Sequence, residues 1–333
     1  MPNISNLLFL MVMMVGTTMI ISSETWLGMW MGLEMNLIAF IPILYTSKNM
    51  TSSESCMIYF LIQSMGSILM LMSVLSSSLM VISPYLIKEL FSTMLLLSMM
   101  IKLGVPPFHF WFPEILEKMS WTNSMILMTW QKVGPLVIIS HIVDTTSCLP
   151  VVICVTVLIG AIGGLNQTSI RKIMGYSSIN HMGWMIASMK FHNEFWVKYL
   201  VIYSVIIALM IYMFNLYSAF YINQLTSNNP KFMEKLIMII QFLSLGGLPP
   251  FLGFLPKWFV IQSMITSNSF TILMIMIVSV LITLFYYLRL VSTTMLIHNS
   301  TSKWNKQNQL NKELMVIIIT INIPLPLIAM FGL

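Results

Sequence analysis
Four ionisable side chains fall deep inside long apolar stretches: Glu34 in W-M-G-L-E-M-N, Lys102 in I-K-L-G-V-P-P, Lys132 in W-Q-K-V-G-P and Lys257 in L-P-K-W. A charge at the centre of a bilayer costs roughly 2.5–3.5 kcal/mol on insertion scales, so such groups are rare and functional by default. Their types suit proton transfer. Burial disfavours an ammonium and a nearby carboxylate favours it, so moving the carboxylate loads or discharges the amine. The competing reading is a structural ion pair, or a side chain that snorkels to the interface. Glu34 and Lys132 lie about ten residues from either end of their apolar runs, too deep to snorkel comfortably. Two histidines are secondary candidates. His109 follows a double proline, where a proton relay and a cap on a half-helix are both open. His181, in S-I-N-H-M-G-W, is open between proton input and a packed, hydrogen-bonded ring. Glu114 and Glu117 read as solvated or partner-facing, and Trp30, Trp111, Trp184 and Trp258 as packing or interfacial aromatics.

The elements that position these groups follow from composition. The 333 residues are 58% hydrophobic and 8% charged, with a mean hydropathy of +0.89. Soluble domains carry about 25% charge, so a soluble fold is excluded and an all-α polytopic membrane protein is expected. The segment from Ile4 to Ile21 lacks a basic flank and a small-x-small site, and reads as a retained span with no Arg-rich presequence before it. Cys56, Cys148 and Cys154 show no CxxC spacing. Gly160 to Gly164 follow no strand and fit a small-residue helix-packing face better than a dinucleotide loop. Nothing here points to a nucleotide, flavin, metal or nucleic-acid partner. The 34 methionines fit an organellar code better than mere core filling, since leucine fills cores as well.

Apolar runs predict about eleven spans: 4–22, 25–46, 55–81, 85–119, 122–143, 148–168, 173–190, 195–222, 235–266, 270–292 and 313–332. A helix of about 35 residues would be roughly 52 Å long against a hydrocarbon core of about 30 Å. Segments 85–119 and 235–266 are therefore each expected as two half-helices, broken at a double proline. Around the breaks, G-V-P-P-F-H-F-W-F-P-E (Gly104 to Glu114) aligns without gaps to G-L-P-P-F-L-G-F-L-P-K (Gly247 to Lys257). Five spans separate the copies, so they run in opposite directions, an inverted repeat of the kind secondary transporters use. Lys and Arg in the connections divide ten to three. Lys48, Lys118, Arg171, Lys172, Lys231, Lys235, Arg289, Lys303, Lys306 and Lys312 fall on the N-terminal side, against Lys88, Lys190 and Lys198. The N-terminus then faces the positive-inside compartment and the C-terminus the other. The sequons at Asn3, Asn49, Asn166 and Asn299 all fall inside, where they would not be glycosylated.

At these segments, together with W-L-G-M-W-M-G-L-E-M-N and G-G-L-N-Q-T-S-I-R-K-I-M-G-Y-S-S-I-N-H-M-G-W, the chain resembles the subunit 2 family of mitochondrial NADH:ubiquinone oxidoreductase, respiratory complex I. That family belongs to the antiporter-like membrane subunits. The resemblance runs from position 26 to 258 and fades after Thr294. It implies one transmembrane antiporter-like domain over residues 1–333 and a proton-pumping role. Glu34 would pair with Lys102, Lys132 would be the central connecting lysine, and Lys257 the terminal one towards the intermembrane space. It implies no cofactor in this chain, with FMN, the iron–sulfur clusters and the NADH site in other subunits. Implied partners are other membrane-arm subunits, including neighbouring antiporter-like ones, and lipids such as cardiolipin. The implied location is the mitochondrial inner membrane, N-terminus in the matrix and C-terminus in the intermembrane space.

From the residues alone, a free-standing cation/proton antiporter and a charge-paired scaffold stand beside that reading. Helix dipoles set a further expectation. Lys102, near the C-terminal end of one half-helix, sits where carbonyls favour a cation, whereas Lys257, near the N-terminal end of another, sits where they disfavour one. Proton flow from Glu34 and Lys102 through Lys132 to Lys257 follows. The orientation predicts that protease applied from the intermembrane space spares residues 303–312; cleavage there contradicts it.

Overall fold
The computed structural model describes residues 4–45, 49–77, 84–227, 232–296 and 312–322. They are helical almost throughout, with one isolated bridge between Ser169 and Tyr221. An apolar medium leaves the backbone no other partner than itself. Asn3, Asn299, Lys48, Lys231, Lys303 and Lys306, and positions 323–332 of the expected last span, lie outside the described residues.

The chain gathers into two compact units, Met1–Val152 and Ile153–Leu333. The first contains α1 (Ile4–Ser22), α2 (Trp26–Leu44), α3 (Met50–Ser77), α4 (Pro84–Leu103), α5 (Trp111–Lys118), α6 (Trp121–Met128) and α7 (Val133–Ile142). The boundary falls within α8 (Leu149–Gly163). The second unit continues with α9 (Ile170–Phe191), α10 (Phe195–Leu216), α11 (Ile222–Ser227), α12 (Phe232–Gly246), α13 (Phe254–Thr266), α14 (Phe270–Leu296) and α15 (Lys312–Asn322). Among the described residues, six segments are long and apolar enough to cross a membrane: α1, α2, α3, α10, α14 and the stretch Trp121–Thr145. The other expected spans fall on broken, shorter or more polar helices, and the number eleven stays an expectation.

Glycine sets how closely the helices approach. A Cβ on Gly32 of α2 would lie 2.6 Å from Cγ1 of Ile20 on α1, and one on Gly160 of α8 would lie 2.5 Å from the amide nitrogen of Asn180 on α9. Such contacts need the small residues typical of membrane helix pairs. Helix α3 shows the inverted amphipathy of a membrane span. Met57, Leu61, Met65, Ile68 and Met72 face outward, while Tyr59, Gln63, Gly66 and Ser67 face in.

Both expected helix breaks are present and are built alike. Helix α4 ends at Leu103 and α12 at Gly246, and the next residue in each, Gly104 or Gly247, has positive φ (67° and 76°). Gly104 N–H donates to Ile101 C=O at 3.2 Å and Val105 N–H to Met100 C=O at 2.9 Å. The same pair recurs from Gly247 to Ser244 (3.0 Å) and from Leu248 to Leu243 (3.2 Å). This is the Schellman ending, which requires the left-handed conformation that only glycine adopts freely. It satisfies two of the terminal carbonyls and leaves the last ones for other donors.

A third interruption corrects the expected continuous helix over 122–143. Helix α6 stops at Met128, residues Trp130–Lys132 form one 3₁₀ turn, and α7 starts at Val133. Pro135 supplies the reason: it has no N–H for the carbonyl of Gln131, and its ring crowds that carbonyl. Lys132 therefore sits on irregular backbone.

Gly104→Ala and Gly247→Ala should each lose about 1–2 kcal/mol to the left-handed backbone. The former should cost more stability, because its new Cβ would lie 2.9 Å from the fixed Cβ of Phe112, whereas the latter meets only the movable stem of Lys257. Thermal midpoints of the two variants in the intact assembly check this; equal midpoints to wild type would contradict the assignment of these turns.

Candidate functional site: buried lysines at helix interruptions
In the first unit, Lys102 ends α4, with 6% of its surface exposed. Its stem lies over Gly66 of α3, where a Cβ would come within 2.8 Å of Lys102 Cγ. One turn earlier on α3, Gln63 Nε2 donates to the Lys102 carbonyl at 3.0 Å, satisfying one of the oxygens that the helix end leaves over. Lys132, 3% exposed, projects from the 3₁₀ turn with its ammonium 5.5 Å from the centre of the Phe112 ring. Both lysines line one internal cavity of about 20 Å³, room for about one water molecule. Asn36, Tyr59, Gln63 and Gln131 add polar atoms to its wall. Tyr59 donates to Gln131 Oε1 at 3.4 Å, and Asn36 Oδ1 is buried with no protein partner.

Glu34 stands near Lys102, the residue with which it is expected to pair. It is half-buried on α2, its charge reaches Lys102, and its Oε1 is buried with no hydrogen-bond partner. The two side chains are not in ion-pair contact. The residue of the same motif that lines the cavity is Asn36. His109 is buried in the break, its ring tilted against that of Phe110 with centroids 4.1 Å apart and near the Pro107 carbonyl. Its own carbonyl accepts from Phe112 N–H at 3.1 Å. His109 lies one residue before Phe110, the N-cap of α5, and does not line the cavity.

In the second unit, Lys257 is 4% exposed on the first turn of α13. Its ammonium turns back across the break and donates to the carbonyl of Gly246, the last residue of α12, at 2.8 Å. The expected dipole argument is thereby corrected. The backbone of Lys257 sits at a helix N-terminus, but its charge sits at a helix C-terminus, where a cation is favoured. The stem lies against Gly247, and the ammonium is 5.9 Å from the centre of the Trp184 ring. His181, one turn before Trp184 on α9, bonds through Nδ1 to the Tyr199 hydroxyl at 2.9 Å. Its ring tilts over Tyr203 at 4.9 Å.

Of the other expectations, Glu114 is exposed and Trp258 is 45% exposed, while Trp111 and Trp184 are buried packing residues. Sequence reading missed Asn36, Gln63 and Gln131 around the cavity, and Glu234 and Gln241 on α12, which are 1% and 0% exposed. The available signal was an amide or acid within an otherwise apolar helix.

Residues 23–283 match the family model described as NADH:quinone oxidoreductase/Mrp antiporter, transmembrane. The chain is 45% identical to NADH-ubiquinone oxidoreductase chain 2 of Locusta migratoria over 312 residues, covering 93% of this chain and 91% of the relative. It is 43% identical to the protein of that name from Anopheles gambiae over 327 residues, 97% and 95% of the two chains. A chain in the solved structure of respiratory complex I from Thermus thermophilus with bound aureothin superposes with a TM-score of 0.83. At 17% identity, over 98% of this chain and 78% of that one, the likeness is one of fold.

The cradle of Lys102 gives a prediction. Gln63→Leu leaves its carbonyl without a donor and should cost about 1–3 kcal/mol of stability. Gly66→Val displaces the lysine stem and should impair proton transfer at unchanged assembly level. Normal proton transfer in a correctly assembled Gly66→Val variant would show that α3 does not position Lys102.

Proposed function
The chain belongs to the NADH-ubiquinone oxidoreductase chain 2 family, within the wider NADH:quinone oxidoreductase and Mrp antiporter group, and on that premise we propose that it is a proton-translocating membrane subunit of NADH:ubiquinone oxidoreductase. It works in the mitochondrial inner membrane beside the other membrane-arm subunits, with the N-terminus in the matrix. Electron transfer from NADH to ubiquinone takes place on FMN and iron–sulfur clusters carried by those partners. Lipids such as cardiolipin cover its outward apolar faces.

One observation carries the reading: all three intramembrane lysines sit where a helix is interrupted. Lys102 closes α4, Lys132 lies on the 3₁₀ turn, and Lys257 reaches the free end of α12. At such places the backbone offers carbonyls that a continuous helix would have consumed. At the second break one of them holds the Lys257 ammonium without fixing it in a salt bridge, so the proton stays transferable. Within the first unit, the cavity gives Lys102 and Lys132 a common polar wall across which one water can carry a proton. Glu34, whose charge reaches Lys102 without touching it, is the group whose movement or protonation changes the load on that lysine. The order Glu34, Lys102, Lys132, Lys257 is the proposed route. A free-standing antiporter would be stable and active alone, whereas this chain is expected to travel with a large assembly on purification.

Replacing Lys132 with Met removes the central amine while keeping the volume. NADH-driven proton transfer should fall about ten-fold or more, the scale of a lost proton-transfer group, in a complex that still assembles. Glu34→Gln should likewise impair pumping more than assembly. Wild-type pumping by assembled Lys132→Met would refute the route, and wild-type pumping by Glu34→Gln would refute the role of Glu34 in loading Lys102.

A further inference from the structure
Helix α12 carries a line of buried polar residues. Glu234, Gln241 and Ser244 occur at i, i+7 and i+10 on one side of the helix, with exposures of 1%, 0% and 0%. The line starts at the first turn of α12 and ends at its last, about 18 Å further on. There the Gly246 carbonyl holds the Lys257 ammonium at 2.8 Å.

Each member has the chemistry of a relay. The Glu234 carboxylate lies beside the Tyr217 hydroxyl, at the end of α10. That end of the unit also carries Arg171, stacked at 4.6 Å on Phe220, and Arg289, which donates to the carbonyls of Leu165 and Gln167. The amide of Gln241 is buried with neither Nε2 nor Oε1 bonded to protein. A fully buried amide with both ends unbonded to protein is a water-binding group. Ser244 donates to the Gln241 carbonyl at 2.7 Å and accepts, through its own carbonyl, the Gly247 amide of the break.

We propose that Glu234 is the proton-loading carboxylate of the second unit, passing a proton along hydrated Gln241 and Ser244 to Lys257. The inference rests on the proton-translocating reading above and adds to its route a second source of protons for Lys257, beside Lys132. The transfer is a proton shift alone: Glu234 gives up its carboxyl proton to a water at Gln241, the neutral Lys257 amine receives one, and Glu234 is reprotonated from the charged end of the unit.

A purely structural Glu234, tying α12 to the end of α10, predicts a different outcome for an isosteric change, which separates the two. In the intact complex in sealed vesicles, Glu234→Gln keeps the contact with Tyr217 and should lower NADH-driven proton transfer about ten-fold, with normal assembly. Glu234→Asp should restore a large part of it. Wild-type proton transfer by assembled Glu234→Gln overturns the inference. Should that variant fail to assemble, Gln241→Leu interrupts the same line without touching a charge, and wild-type transfer by it is equally decisive. Lys132→Met measured alongside keeps the two readings apart. If it blocks pumping while the α12 variants do not, only the role of Glu234 falls; if none of them changes pumping, the translocating reading falls with it.

Discussion
An α-helix in an apolar medium uses up its own carbonyls, and a charge placed beside it has nothing to bind. Interrupting the helix is what makes a buried lysine affordable here. The Schellman endings at Gly104 and Gly247 satisfy two carbonyls and leave others pointing into the interior. Lys102 and Lys257 belong to those two endings, and Lys132 to the 3₁₀ turn ahead of Pro135. Remove the second break and the Lys257 ammonium loses the Gly246 carbonyl and faces the cost of bare burial.

The two units use one backbone device for different ends. In the first, a neutral donor, Gln63, takes up the left-over carbonyl, and the lysine lies over the glycine one turn away, at the wall of a cavity with room for about one water. In the second, the lysine itself is the donor to the left-over carbonyl. A proton on Lys257 therefore strengthens the link between α12 and α13, and its loss weakens it. Protonation and the geometry of that break are coupled through a single hydrogen bond. Among the described residues no such bond ties the Lys102 ammonium to its own break, so the two lysines are not equivalent despite their shared motif.

The breaks, their glycines and three buried lysines were legible in the sequence because proline and charge are conspicuous in an apolar chain. The break at Lys132 was equally written, in Gly134-Pro135, but a single proline also occurs inside an unbroken helix, as Pro42 does in α2. The direction of the Lys257 side chain was not legible, because a long flexible stem lets the charge sit a full break away from its own backbone. Asn36, Gln63, Gln241 and Glu234 were missed for a common reason. One polar residue in an apolar run shows its meaning only when the neighbouring helices are in place. His109 and His181 were left open, and the structure gives them different surroundings: the turn of the break beside Phe110 for the first, two tyrosines of α10 for the second.

The central claim is that the proton on these amines moves, and Lys257→Arg tests it most directly. Arginine keeps the charge and can donate to the Gly246 carbonyl, but it does not release a proton in a protein. Measured as protons translocated per electron in sealed vesicles containing the intact complex, the arginine variant is predicted to lose coupled translocation while its assembly stays normal. A ratio equal to that of wild type would mean that Lys257 is a fixed structural charge, and the proposed route would be wrong.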